Sequence, residues 1–225
     1  DFFANEEVAL NICFYIKVNE KVCSRVGASY SHFFNSALSN IDQVYKKYHW
    51  LIMQQIERFG TGAISQIAVK RYRGVKRDIL LLLTTFVKGT DDAHAFVQNY
   101  SKLLVMALEN YCNEAEEVRE AEVLEFLATS IEVLKSDVVE VISELMQHIL
   151  TAVLPMITKN FSSYPEHRTG FFSLVRAMVK NCFDVFFKIP AETFKTIIDC
   201  VVWAIKHELV SLFEIGLDTL ISILE

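Results

Sequence analysis

Punctuation is scarce in this chain. Of 225 residues only 7 are Gly and 3 are Pro, too few turn formers for a many-turned β-sandwich or barrel. Cysteine offers no frame either. Cys13, Cys23, Cys112, Cys182 and Cys200 are odd in number, form no C-x-x-C pair and lie on apolar stretches, which reads as reduced core thiols of an intracellular protein. Apolar runs such as 79–83 fall far short of the roughly 20 residues that span a bilayer, so no membrane partner is expected. The opening Asp1-Phe2-Phe3 has no basic n-region and no initiator Met, which suggests a fragment without a secretory signal. The sequons Asn99-Tyr100-Ser101 and Asn160-Phe161-Ser162 would then stay unmodified. Positive charge is also short. A net charge of −6 and a pI near 5.6 argue against direct nucleic-acid binding.

What the chain has is helical periodicity. Hydrophobic residues make up 52%, 17 of them Phe, and mean hydropathy is +0.27, far from the signature of disorder. In 164–225, Pro165 opens a helix whose apolar face takes Phe172, Val175, Val179, Phe183, Phe186 and Phe187 at three- and four-residue steps. Ile189-Pro190 breaks it, and Pro190 opens a second helix with Phe194, Ile197, Ile198, Val201, Val202 and Ile205 inward. A third begins at Leu209. Two antiparallel helices joined at a proline corner and followed by another are the unit of an α-solenoid.

Earlier stretches follow suit. A helix is expected over 3–26, with Val8, Ile12, Tyr15, Ile16, Asn19, Val22 and Val26 on one side and Gly27 as its cap. One long helix is expected over 30–59, ended by Gly60 and Gly62. The next runs over 64–87, opening on the basic run Lys70, Arg71, Arg73, Lys76 and Arg77. Gly89-Thr90-Asp91 supplies a cap glycine and an N-cap for a helix reaching Cys112. Glu114, Glu116, Glu117, Glu120, Glu122 and Glu125 crowd the start of a fifth helix, where the helix dipole favours negative charge. A sixth, capped by Ser136-Asp137, runs to 161 with Pro155 kinking its last turns. The fold class is therefore all-α: a right-handed α-α superhelix of HEAT-type, armadillo-like repeats, about nine helices in four to five repeats. It forms one continuous segment, 1–225, with repeats near 3–60, 64–113, 117–161, 165–207 and 209–225.

Chemistry-bearing motifs fail one after another. Gly60-Thr61-Gly62 follows no strand and has Ser65 where a dinucleotide fingerprint needs its third Gly. Asp91-Asp92 has Ala95 in place of a third carboxylate, so helix capping explains it better than a metal motif. His32, His49, His94, His148, His167 and His207 show no metal-ligand spacing. No nucleophile elbow is present. The residues thus give no catalytic, cofactor or metal site. The basic run 70–77 reads first as a solvated helix start and second as a site for an acidic partner. A third reading pairs it with the glutamates at 114–125, each exposed pair contributing about 0–1 kcal/mol.

One resemblance gathers these elements. Tyr164-Pro165-Glu166-His167-Arg168-Thr169, Phe171-Phe172, Cys182-Phe183, Ile189-Pro190, Phe194-Lys195, Asp199 and Trp203-Ala204 with Lys206-His207 stand in one register similar to the exportin-1 family of karyopherins. Val22-Cys23, Val26-Gly27, Ile41-Asp42, Val44-Tyr45-Lys46 and Val75-Lys76-Arg77 extend it over nearly the whole chain. The resemblance implies a non-enzymatic segment of a nuclear export receptor from the C-terminal half of the family. Its partners would be Ran-GTP, cargo bearing leucine-rich export signals and Phe-Gly nucleoporins, in a protein shuttling between nucleus and cytoplasm. It also implies that the cargo groove and its reactive cysteine lie on repeats outside this chain, so no site residue transfers. The alternative is a HEAT-repeat scaffold or adaptor unrelated to transport.

Overall fold

The computed structural model describes residues 2–159 and 163–224, and every regular element among them is helical. Ten α-helices follow in order: α1 (Glu6–Val26), α2 (Tyr30–Ala37), α3 (Ile41–Phe59), α4 (Ile67–Lys88), α5 (Ala93–Asn113), α6 (Glu122–Leu134), α7 (Val139–Lys159), α8 (Pro165–Asn181), α9 (Ala191–Ile205) and α10 (Val210–Leu224). They stack in two layers. In one, α4 packs on α1, α6 on α4, α8 on α6 and α10 on α8. In the other, α3 touches α5 and α5 touches α7, while α9 is held chiefly by α10. The apolar core is contiguous from Ala9 to Leu212. This is the helical HEAT-like solenoid that the periodicity predicts.

Local chemistry sets the helix ends. Asn5 caps α1 by accepting from the Glu7 amide at 2.8 Å. Gly60 ends α3 at φ +71°, its amide reaching the Ile56 carbonyl at 2.7 Å. The cap of α5 is Asp92, which accepts from the Ala95 amide at 2.9 Å, rather than Asp91. Gly89 is not a left-handed cap, since its φ is −86°. It is needed for closeness: a Cβ there would come within 3.3 Å of the Gly27 Cα, where the ends of α1 and α4 meet.

Four further expectations need correction. The single helix over 30–59 is two, because residues 38–40 leave helical geometry. Leu38 still bonds the Phe34 carbonyl, but Ile41 reaches only back to Leu38. Ser39 and Asn40 favour this tighter turn, and the bend buries both Leu38 and Ile41. The fifth helix begins only at Glu122, so Glu114, Glu116, Glu117 and Glu120 precede it and do not line its first turn. The buried side of α1 is Ala9, Ile16, Asn19 and Cys23, whereas Tyr15, Val22 and Val26 are exposed. Phe187, expected inward, is 78% exposed at the proline corner, and Val202 is also exposed. The 3-10 turn over Phe183–Lys188 ends the α8 periodicity before Phe187, which accounts for its outward place. Helix α7 runs through Pro155 to Lys159. The rest of the stretch to 161 and the sequon Asn160-Phe161-Ser162 lie outside the described residues.

Candidate functional site

The basic run of α4 and the glutamates after α5 meet in one buried network. Lys76 lies on the same face of α4 as Val69, Tyr72 and Ile79 and is wholly buried. A buried ammonium must be paired or lose its charge. Its partner is Glu114, placed by the end of α5 and almost fully buried. The same Glu114 oxygen, Oε1, lies 2.7 Å from His49 Nδ1 on α3. The Lys76 ammonium also sits 5.2 Å from the centre of the Tyr45 ring, a cation–π placement. One carboxylate therefore ties α3, α4 and the end of α5 together.

Glu120 forms the second centre. It lies between the 3-10 turn Glu116–Val118 and α6, and its side chain is 1% exposed. Arg73 donates to both of its oxygens, Nε at 2.6 Å and Nη2 at 3.3 Å, the paired geometry that suits a guanidinium. Arg77 donates to Oε2 at 2.6 Å and lies 3.6 Å from Glu122. On the opposite side of α4, Arg71 pairs with Glu6 of α1. Arg119 donates to the carbonyls of Tyr111 at 3.0 Å and Ala152 at 2.7 Å. The second contact lies one turn before Pro155, where a proline loosens the helix ladder.

Electrostatics follow from this packing. Burial alone would raise the Glu114 carboxyl, but the His49 hydrogen bond and the Lys76 charge hold it below the ordinary carboxylate value. Burial pushes the Tyr45 phenol well up, and Glu114 and Glu120 add to that. Burial lowers His167, which sits at the start of α8 with ring centres of Tyr111 and Tyr164 at 6.0 and 5.7 Å. Its Nε2 and the Tyr111 hydroxyl have no hydrogen-bond partner among the described residues.

The basic run is thus internal cement. The solvated-start reading holds for Lys70, which is exposed, and fails for Arg73 and Lys76. The acidic partner is supplied from within, and the low value expected for exposed pairs does not apply to buried ones. His49 was missed altogether. The signal for the network was present in Lys76, a lysine in register with an apolar stripe.

Elsewhere the motifs behave as structural features. Gly60-Thr61-Gly62 leads from α3 into a 3-10 turn. All five cysteines are free thiols. Burial pushes Cys13 and Cys23 up to about 12, and Cys182 and Cys200 to about 11, away from reactive thiolate chemistry. Among the described residues no three His, Cys, Asp or Glu side chains converge as metal ligands, and no helix is long and apolar enough to cross a membrane. A groove of about 580 Å³ runs between α6 and α8, with Glu122, Glu125, Glu132 and Glu166 facing Lys88 and Arg176. A smaller apolar cavity of about 190 Å³ lies among Ile157, Phe172, Cys200 and Trp203.

Residues 33–225 match the protein family described as CRM1 C terminal. Protein EXPORTIN 1A of Arabidopsis thaliana is 30% identical over 226 residues, covering 100% of this chain and 21% of the relative. Exportin-1 of Dictyostelium discoideum is 33% identical over 220 residues, 97% of this chain and 20% of its own. Exportin-1 of Drosophila melanogaster is 28% identical over 227 residues, again 100% of this chain and 21% of the relative. The chain therefore spans about one fifth of the length of these curated relatives.

Proposed function

The chain belongs to the exportin-1 family, in its CRM1 C-terminal region, and on that premise we propose that it is a wall segment of a nuclear export receptor. The receptor carries cargo with leucine-rich export signals, together with Ran-GTP, past Phe-Gly nucleoporins, and shuttles between nucleus and cytoplasm. This segment contributes curvature and stiffness and has no enzymatic role. The cargo groove lies on other repeats. Its helices form the continuous run of repeats 3–60, 64–113, 117–161, 165–207 and 209–225.

One observation carries the reading. The likeness to exportins runs from end to end of a two-layer stack whose buried charges are answered internally. Such a stack flexes by small changes per repeat, and a ligand that prefers one curvature is coupled through it to distant sites. Free acidic or basic partners are not needed to explain the charge at 70–77.

Two binding experiments test the proposal. The receptor carrying this chain should retain Ran from cell extract when a non-hydrolysable GTP analogue is present and release it with GDP. Equal retention in both states contradicts a Ran-coupled receptor and favours a general HEAT scaffold. The 225-residue chain alone, titrated with a fluorescent leucine-rich export peptide, should show no saturable binding at low micromolar concentration. Clear saturation there would place the cargo groove on this segment and overturn the assignment.

A further inference from the structure

The groove between α6 and α8 is not an end face of the stack. Helix α6 packs between α4 and α8, and α8 between α6 and α10. The two helices approach closely where Gly170 faces Leu124 and Ala121. Each turns a polar stripe into the groove at helical spacing, Glu122, Glu125, Thr129 and Glu132 on α6 and Glu166, Ser173 and Arg176 on α8. Against its four glutamates the lining sets only Lys88 and Arg176. Arg176 meets Glu132 at 3.4 Å, and Arg77 lies 3.6 Å from Glu122 but closer to Glu120. Glu125 and Glu166 are exposed and enter no ion pair among the described residues. The acid excess therefore lies toward the Glu122 end. Burial, with Glu120 and Glu166 nearby, raises the Glu122 carboxyl accordingly.

A hydroxyl gives a second, independent sign. Thr129 is 5% exposed, and its hydroxyl has no hydrogen-bond partner among the described residues. Thr84 and Ser130, buried as deeply, return theirs to the carbonyl four residues before, at 2.8 and 2.7 Å. Buried polar groups are almost always met, and Thr129 lines the groove between Glu125 and Glu132. What meets it must be cationic and elongated. Residues 122 and 132 lie about 15 Å apart along a helix axis, so their carboxylates do not close on a single ion. An extended peptide covers that length in about five residues, with alternate side chains on one face. Arginine suits the walls. Its guanidinium bonds a carboxylate through two N–H groups, and its aliphatic stem can lie on Ala121 and Ala128.

We propose that the α6–α8 groove binds an extended, arginine-bearing segment of a partner protein. Its guanidinium groups pair with Glu122, Glu125 and Glu166, and its main chain meets Thr129. The test is fluorescence anisotropy on the whole receptor carrying this chain. The probe is a fluorescein-labelled peptide of about nine residues, Arg alternating with Ser, long enough to run the groove when extended. Binding should saturate and weaken as salt rises. Glu125→Gln and Glu166→Gln should each weaken it about threefold, and about tenfold together. Neither carboxylate has a partner to lose, so folding should be unaffected. Thr129→Val should weaken binding while leaving its salt dependence unchanged. Glu109→Gln, the same charge change on exposed α5 surface, should leave binding as in the wild type. No saturable binding to the wild-type receptor overturns the proposal. So does a Glu125→Gln, Glu166→Gln double variant that binds like the wild type, or an equal loss in Glu109→Gln, which would mark attraction to net charge alone. Spermine that displaces the peptide at equal concentration also overturns it, since the groove would then take any polycation.

Discussion

From α3 to α6 the helices are joined through buried carboxylates, and from α7 to α10 they are joined by apolar contact, the buried Arg168 and proline corners. In the first region Glu114 gathers His49 and Lys76, and Glu120 gathers Arg73 and Arg77, all across helix boundaries. In the second, the described ion pairs are exposed ones, such as Lys180 with Asp218, and the buried Arg168 of α8 donates to the Ser163 carbonyl at 3.0 Å and lies 5.5 Å from the centre of the Trp203 ring. Stacked rings do the joining there, with Phe172 and Trp203 at 6.3 Å and nearly parallel. The contrast teaches how one repeat architecture can be made specific or adaptable. A buried carboxylate that must meet two cations permits one register between helices. Apolar ridges tolerate small slides, since they lack a directional partner.

The largest expected effect breaks the first region. Glu114→Gln leaves the Lys76 ammonium buried without a counter-charge and should cost about 3–5 kcal/mol in urea unfolding. A smaller cost is expected where backbone approach sets the second region. A Cβ at Gly216 would meet the Ala204 Cβ at 2.9 Å and the Ile205 amide nitrogen at 3.1 Å. Gly216→Ala should therefore destabilise by about 1–3 kcal/mol through overpacking between α9 and α10, visible as a lower urea midpoint.

Acid should separate the two regions next. Because burial lowers His167 below its ordinary 6.5, the unfolded chain takes up a proton first as pH drops. Stability tied to His167 is complete above pH 6.5 and declines below it. Glu114 is held below its ordinary 4.5, so its contribution is complete above pH 4.5 and is lost as pH falls through its folded value. Urea midpoints at pH 7.5 and 5.5 should therefore differ for the wild type, and the difference should shrink in His167→Gln. An unchanged difference would remove His167 from this account. The smallest effect belongs to the exposed pair: Lys180→Ala should change stability by about 0–1 kcal/mol, within the scatter of a thermal melt.

The helical stack was legible in the sequence because apolar residues recur at three- and four-residue steps through nearly every element. The break at 38–40 was not, since Leu38 and Ile41 preserve the apolar period across it and both end up buried. Phe187 misled for the related reason that a 3-10 turn changes the phase of the pattern without changing its composition. The ion network was half legible. Lys76 in line with Val69, Tyr72 and Ile79 demanded a partner, and a rich supply of glutamate lay downstream. Which glutamate would be chosen depends on the chain path after α5, and that path carries no periodic signal. His49, 65 residues before Glu114, has no sequence mark distinguishing it from the other histidines.

A double-mutant cycle on Lys76 and Glu114 tests the central claim most directly. Lys76→Met and Glu114→Leu each remove one charge while keeping apolar volume, and the double variant removes both. Urea unfolding should show each single variant less stable than the double, with a coupling of about 2–3 kcal/mol between the sites. Additive losses within about 0.5 kcal/mol would contradict a buried pair that fixes the stacking of α4 against the end of α5.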